Sequence, residues 1–256
     1  MTTDRDKPWY ENSFGYEYLA LYAHRDAAEA HAAVQAIAEL VAPPQNQPLL
    51  DLCCGAGRHL LSLRQLGFTN LIGLDLSAEL LNVAQQSLNR TQVRLVRADM
   101  RDIPFANVFG AVLSLFTSFG YFERDEENQA VLAAVWRSLQ PGGVFLIDYL
   151  NSTSVIDNLV EHDEKTLPDR HICNVRSLSS DRKRVTKTTT VTTTSGQTRT
   201  FYESVRLYPE REMIAMLRDE KFVEIASYGS LDGKSFDAAN SKRLILRARK
   251  PQTARV

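Results

Sequence analysis

Cysteine is scarce in this chain, with three among 256 residues. Cys53 and Cys54 are adjacent and Cys173 stands far from both, a spacing that fits neither a zinc site nor a disulfide framework. Reduced thiols and no metal are therefore expected. Long apolar runs are missing too: none reaches the roughly 18 residues of a membrane span. The segment Met1 to Trp9 lacks the apolar stretch of a signal peptide, which points to a cytoplasmic protein with no membrane partner. Nor is there a charge excess. A net charge of −1 provides no global field to draw the chain to nucleic acid. What remains, 44% hydrophobic and 24% charged residues, is an ordinary globular composition. The length suits one large domain or one domain carrying an insertion, as a monomer or homodimer.

Residues 1–48 read as an N-terminal helical cap, with a helix over 16–41 that Pro43, Pro44 and Pro48 bring to an end. From Leu49 short apolar runs alternate with amphipathic stretches, as in a βαβ sheet. The runs are Leu49–Cys53, Leu71–Leu74, Val93–Val96, Val108–Leu115 and Val144–Tyr149, with helices at about 57–66, 78–89 and 125–139. Pro141-Gly142-Gly143 reads as a turn before the fifth run. This core covers 49–151. The rhythm breaks after Asn151, and 152–208 reads as an insertion whose residues 160–207 are extended and Thr-rich, with turn signals near Pro168, Ser180 and Ser195, and Arg182-Lys183-Arg184 reads as a solvated hairpin tip. Residues 209–256 complete the core with a helix to about Asp219 and strands at about 222–229 and 243–249. The expected architecture is α/β: a Rossmann-like, seven-stranded, mostly parallel sheet with helices on both faces, plus a small antiparallel β insertion.

The segment from Leu49 to Leu60 reads as a buried strand, a Gly55-Ala56-Gly57 turn and a helix start. Glycines there let a ligand approach the backbone. Asp75 ends the next run, 20 residues past Gly55, where an acid reaches a ribose hydroxyl pair. A dinucleotide site is the rival reading, but its third glycine is missing, since position 60 is leucine. Asp51 also lies beside the loop and would be a poor neighbour for a pyrophosphate. It suits a ligand with an ammonium and a sulfonium, as in S-adenosylmethionine. The third run ends in Asp99-Met100, an acid for the adenine amino group and a side chain to cover the ring.

These residues resemble class I S-adenosylmethionine-dependent methyltransferases. The resemblance rests on Asp51-Leu52-Cys53-Cys54-Gly55-Ala56-Gly57, Gly73-Leu74-Asp75-Leu76-Ser77, Arg97-Ala98-Asp99-Met100 and Leu139-Gln140-Pro141-Gly142-Gly143, in that order. It implies that Gly55 and Gly57 pack under the methionine part of the cofactor, near Asp51. It also implies that Asp75 binds the ribose and Leu76 borders the adenine with Asp99 and Met100. Leu115 and Phe116 would lie near the methionine chain. Gly110 departs from the family, where aspartate is frequent. The insertion resembles the subgroup containing glycine N-methyltransferase-like enzymes and aminosugar N,N-dimethyltransferases. In that subgroup an N-terminal tyrosine covers the cofactor; Tyr16, Tyr18 and Tyr22 are the candidates here, with Tyr22 preferred from its context.

The expected reaction is transfer of a methyl group to an N or O nucleophile of a small molecule. Such chemistry needs positioning more than acid–base machinery. His24, Tyr22 and Tyr121 are the candidates for a catalytic role. Phe119, Tyr121, Asp148, Tyr149, Asn151, Tyr202 and Arg206 are the candidates for substrate contact. A methyltransferase of RNA or protein, or a non-catalytic cofactor-binding module, are the alternatives.

Overall fold

The computed structural model describes residues 8–21, 27–41, 46–88 and 92–252. Its first elements are three helices, α1 (Trp9–Ser13), α2 (Tyr16–Leu21) and α3 (Ala27–Val41). The core then alternates: β1 (Leu49–Leu52), α4 (Arg58–Gln65), β2 (Leu71–Asp75), α5 (Ala78–Ser87), β3 (Arg94–Arg97), β4 (Phe109–Ser114), α6 (Asp125–Ser138) and β5 (Leu139–Leu150). A short α7 (Ser152–Asp157) leads into β6 (His162–Leu167), β7 (Arg170–Leu178), β8 (Arg184–Thr193) and β9 (Thr198–Arg206). The chain finishes with α8 (Glu210–Asp219), β10 (Val223–Tyr228) and β11 (Arg243–Arg249).

Seven strands form one sheet in the order β10-β11-β5-β4-β1-β2-β3. β1 pairs in parallel with both β2 and β4, and β11 pairs antiparallel with β5 and β10. β1, β2 and β4 are buried along their whole length, which is why they read as unbroken apolar runs. Period-two geometry sends Leu50, Leu52 and Val112 into one core and Leu49, Ala111 and Leu113 into the other. The chain reverses its winding between β1 and β4, and in open α/β sheets that point, at the carboxyl ends of the strands, is where ligands bind.

Local sequence explains the helix ends. The Ser77 hydroxyl accepts the N–H of Leu80 and caps α5, while α6 opens on Asp125, Glu126 and Glu127 and closes on Arg137, matching its dipole. The four insertion strands form a separate antiparallel sheet in the order β6-β7-β8-β9, with turns where the sequence signals stand.

Three local expectations need correction. Helix is present earlier than residue 16, in α1, and the 16–41 stretch contains both α2 and α3. Pro141-Gly142-Gly143 is not a turn ahead of the strand but part of β5, at a register shift against β4. Gly142 there adopts φ +79° and donates its N–H to Lys250 O at 3.0 Å. A bulge consumes the same glycine chemistry as a turn. Arg184 is not a solvated tip residue: it is half-buried, donating to Ser204 Oγ at 2.9 Å and to Phe122 O.

Candidate active site

A cavity of about 900 Å³ opens at the carboxyl ends of β1, β2, β3 and β4. The turn after β1 forms one wall. Cys53, Gly55 and Gly57 all take positive φ there, at 62°, 54° and 79°. Gly55 faces the cavity, and a Cβ on it would meet only Leu80 Cδ1, at 4.0 Å. Gly57 lies behind the wall, where a Cβ would press Leu88 Cδ1 at 3.0 Å and Ala84 Cβ at 3.1 Å. Its absence of a side chain lets α4 pack on α5. Leu60 is fully buried and its Cδ1 approaches the place of a Gly73 Cβ at 2.6 Å, so the leucine that replaces a third glycine is accommodated by a glycine one strand away. The Gly110 departure is similarly local: Gln47 Oε1 would lie 2.1 Å from a Cβ there.

Three acids from three successive strands reach this cavity, but each in a different state. Asp51 is buried, and its Oδ2 has no hydrogen-bond partner. Burial, then the neighbouring Asp75 carboxylate, push its pKa up to about 7, against a smaller opposing pull from Arg58. Asp75 accepts the N–H of Gly55 at 2.8 Å and of Ser77 at 2.9 Å, and burial raises its pKa against those bonds. Burial also acts against ionisation of Asp99, but Arg101 outweighs it and holds the pKa low, through contacts of 2.6 to 3.2 Å. Arg101 continues to Glu127 Oε1 at 2.7 Å and lies over the Phe122 ring at 4.2 Å. Burial and the nearby acids push the Cys53 and Cys54 thiols well up, which keeps them protonated and poor nucleophiles.

The floor is built by the exit of β4. Phe116 and Thr117 both take positive φ, 56° and 65°, a costly pair for residues with side chains. Asp148 holds them: its Oδ2 accepts the Phe116 N–H at 3.0 Å, while Arg243 binds Asp148 Oδ1 and Thr117 Oγ1, each at 2.8 Å. The Phe116 ring then stacks on His59 at 5.2 Å and lies under Arg58 at 4.4 Å.

The mouth is covered by the N-terminal segment. Ser13 Oγ donates to Tyr202 O at 2.6 Å, Glu17 pairs with Arg199, and Tyr16 N–H donates to Glu79 Oε2 at 2.8 Å. The segment thus spans from the insertion sheet to α5. Its aromatics meet those after β4: Phe14 stacks on Tyr121 at 5.6 Å, and Trp9 and Tyr10 set edges on Tyr121 and Phe122.

Of the residues singled out in the sequence, Tyr16, Asp51, Gly55, Asp75, Leu76, Asp99 and Met100 line this one cavity, together with Leu115, Phe116 and Tyr121. Tyr22 and His24 lie outside the described residues. Others have structural partners instead of a place on the cavity wall. Tyr149 is fully buried and donates to Arg206 O, and Phe119 packs between Tyr149 and Tyr208. Asn151 caps α7 and donates to Ala238 O and Ser241 O. Arg206 is buried and donates to Leu207 O at 2.9 Å, beside Asp125 and Glu212. The Tyr202 ring is exposed and borders Trp9. The sequence reading missed Tyr10, Phe14, Arg58 and Phe201 as cavity residues. The aromatic density of residues 9–18 was the available signal.

Residues 49–143 match a family model described as a methyltransferase domain. The dTDP-3-amino-3,4,6-trideoxy-alpha-D-glucopyranose N,N-dimethyltransferase of Streptomyces venezuelae is 38% identical over 114 residues, 44% of this chain and 47% of that protein. The chain therefore spans about half the length of such curated relatives. The dTDP-4-amino-2,3,4,6-tetradeoxy-D-glucose N,N-dimethyltransferase of Saccharopolyspora spinosa is 28% identical over 209 residues, 79% of this chain and 82% of that one. A Clostridium acetobutylicum S-adenosylmethionine-dependent methyltransferase shares the fold, with a TM-score of 0.77 at 16% identity, over 91% of this chain and 95% of that one.

Proposed function

We propose, from the premise that this chain is a class I S-adenosylmethionine-dependent methyltransferase, that it methylates a nitrogen of a small amino-sugar-like acceptor. One observation carries the cofactor half of this reading: Asp51 is a buried carboxylate with an unpartnered oxygen on the cavity wall. A buried charge without a partner is costly, and a cationic ligand is the natural complement. Arg58 on the same wall offers the opposite charge, so the pair suits the zwitterionic end of an amino acid. Gly55 leaves its backbone open to that ligand. Asp75 and Leu76 then face its ribose and adenine, with Met100 and Asp99 beyond.

S-adenosylmethionine, when bound, supplies an activated methyl on a sulfonium. The chain's own residues position and desolvate the reactants. Phe116 shapes the floor, and Tyr121, Phe14, Tyr10 and Phe122 wall the side beneath the N-terminal segment. Aromatic faces attract an amine in its charged form, and the nitrogen gives up that proton to solvent before its lone pair takes the methyl and the sulfonium leaves as a neutral thioether. The amino-sugar identity of the acceptor comes from the relatives' substrates, and the antiparallel sheet acts as its lid through Phe201 and Arg199.

Among the described residues no helix is long and apolar enough to cross a membrane. Free Cys53, Cys54 and Cys173 suit a reducing compartment and so favour a cytoplasmic enzyme, and the near-neutral charge favours a monomer or homodimer acting without nucleic acid. Calorimetry with S-adenosylmethionine and with NADH tests the cofactor. Mass spectrometry of a dTDP-3-amino-sugar incubated with protein and S-adenosylmethionine tests the acceptor. Cofactor binding without transfer to any amino sugar refutes the acceptor alone; NADH binding in place of S-adenosylmethionine refutes the whole.

A further inference from the structure

The insertion sheet carries a second group of chemistry-bearing side chains, remote from the cavity wall. His162 and Glu164 lie two apart on β6, so they share a face, and Glu164 sits directly across from Cys173 on β7. His162 Nε2 is 3.4 Å from Cys173 Sγ and 3.2 Å from Glu164 Oε1. Three potential ligand atoms thus lie within 4.8 Å of one another. His171 lies outside this group of three, with its Nε2 3.3 Å from the second carboxylate oxygen, Glu164 Oε2. A tetrahedral zinc ion with bonds of about 2.0 Å to nitrogen or oxygen and about 2.3 Å to sulfur has edges of roughly 3.3–3.6 Å, close to these separations.

The composition of the rest of this face bears on the same point independently. Around the cluster, the register places Thr166, Val175, Thr188, Thr190 and Thr192 on it, and the arginines of this face, Arg184 and Arg206, pair in register with each other at its far end. On the opposite face, Asp163 is satisfied by Arg176 and Asn174. Glu164 pairs with His162 and His171 and faces Cys173 across the ladder, an arrangement that a bound cation would neutralise.

We propose that His162, Glu164 and Cys173 form a surface site for a zinc-type divalent metal, with His171 holding the far oxygen of Glu164, stapling edge strand β6 to β7. Binding would deprotonate the Cys173 thiol, releasing one proton to solvent and forming a metal–sulfur bond. On this proposal the ligands come from antiparallel pairing, which the expectation from cysteine spacing, counting only sequence neighbours, did not consider. The site is independent of the methyl-transfer reading.

The test uses the full chain, reduced and freed of metal, titrated with zinc against a chromophoric chelator and with cobalt(II) by absorption. One equivalent of zinc is expected, with a thiolate-to-cobalt charge-transfer band. C173S should abolish the band, and C173S and H162A should each weaken zinc affinity by more than about tenfold. C53S should change neither. The four side chains are at least partly exposed, so circular dichroism should show both variants folded. Failure of the wild-type protein to bind zinc, or zinc binding by C173S and H162A as tight as wild type, overturns the proposal.

Discussion

The carboxylate of Asp75 accepts the backbone N–H of Gly55 at 2.8 Å, across 20 residues of sequence. Its other oxygen takes the N–H of Ser77. The acid at the tip of β2 therefore holds the glycine turn in shape before any ligand arrives. Bonds of this charge-assisted kind contribute about 1.5–3 kcal/mol each. Asp75→Ala should lower stability by about 2–3 kcal/mol in urea denaturation. It should also weaken S-adenosylmethionine binding by more than about tenfold. Unchanged affinity in calorimetry would show that the turn keeps its shape unaided.

Asp51 ionises near pH 7 in the folded, ligand-free chain, against 3.8 ordinarily. Between those values the folded state holds a proton that the unfolded state has lost. Stability from this group is therefore full below about pH 3.8 and is lost as pH rises through about 7. Asp51→Asn removes that loss. The variant should melt higher than wild type at pH 8 and close to it at pH 4, each kcal/mol moving Tm by roughly 2–4 °C. Melting curves at the two pH values check the difference; an equal gap at both pH values would contradict the assignment.

The same ionisation predicts how binding varies with pH. A cationic ligand selects the charged carboxylate, so affinity for S-adenosylmethionine should rise about tenfold between pH 6 and pH 8. Calorimetry across this range in two buffers of different ionisation enthalpy should also detect proton release near pH 6. A flat profile would argue that Asp51 is not the group facing the ligand.

Arg243 reaches the cavity only through others. It holds Asp148 and Thr117, which keep Phe116 in its left-handed conformation. Arg243→Ala leaves a buried carboxylate short of its cation and should cost about 3 kcal/mol of stability. Arg243→Lys, which keeps the charge without the fork, should recover part of this. Phe119→Leu, which alters the core nearby without touching the brace, should leave cofactor affinity within about threefold of wild type. Chemical denaturation and calorimetry on the three variants check this ordering.

Much of the core was legible because buried parallel strands must be apolar on both faces and must end in turns. That is why β1, β2 and β4 stand out from their flanks, and why Asp51, Asp75 and Asp99, acids at the ends of such runs, can be recognised before any coordinates. Direction was less legible than position. Asp148 and Tyr149 do end β5 and Asn151 follows it, but whether such a side chain meets a ligand or its own fold depends on partners far away: Arg243, Arg206 and Ser241. The covering segment was hidden for the same reason. Ser13 meets Tyr202 across 189 residues, a contact no local pattern encodes. The Pro141-Gly142-Gly143 bulge was misread because one positive-φ glycine serves a turn and a bulge alike.

The covering segment offers a kinetic test. Phe14 stacks on Tyr121 at an interplanar angle of 21°. Phe14→Ala and Tyr121→Ala should lower kcat/KM for an amino-sugar acceptor by about tenfold or more, a loss of about 1.4 kcal/mol in transition-state stabilisation. Affinity for S-adenosylmethionine should change far less. Initial rates and calorimetry on each variant separate the two effects.

Everything in the catalytic reading depends on Asp51 meeting a positively charged ligand. The most direct measurement is calorimetric titration of S-adenosylmethionine into wild-type protein and Asp51→Asn at pH 8. Wild type should take up one equivalent, and the variant, folded and at least as stable, should bind more than about tenfold more weakly. Equal affinities, or no uptake by the wild-type chain, would contradict it.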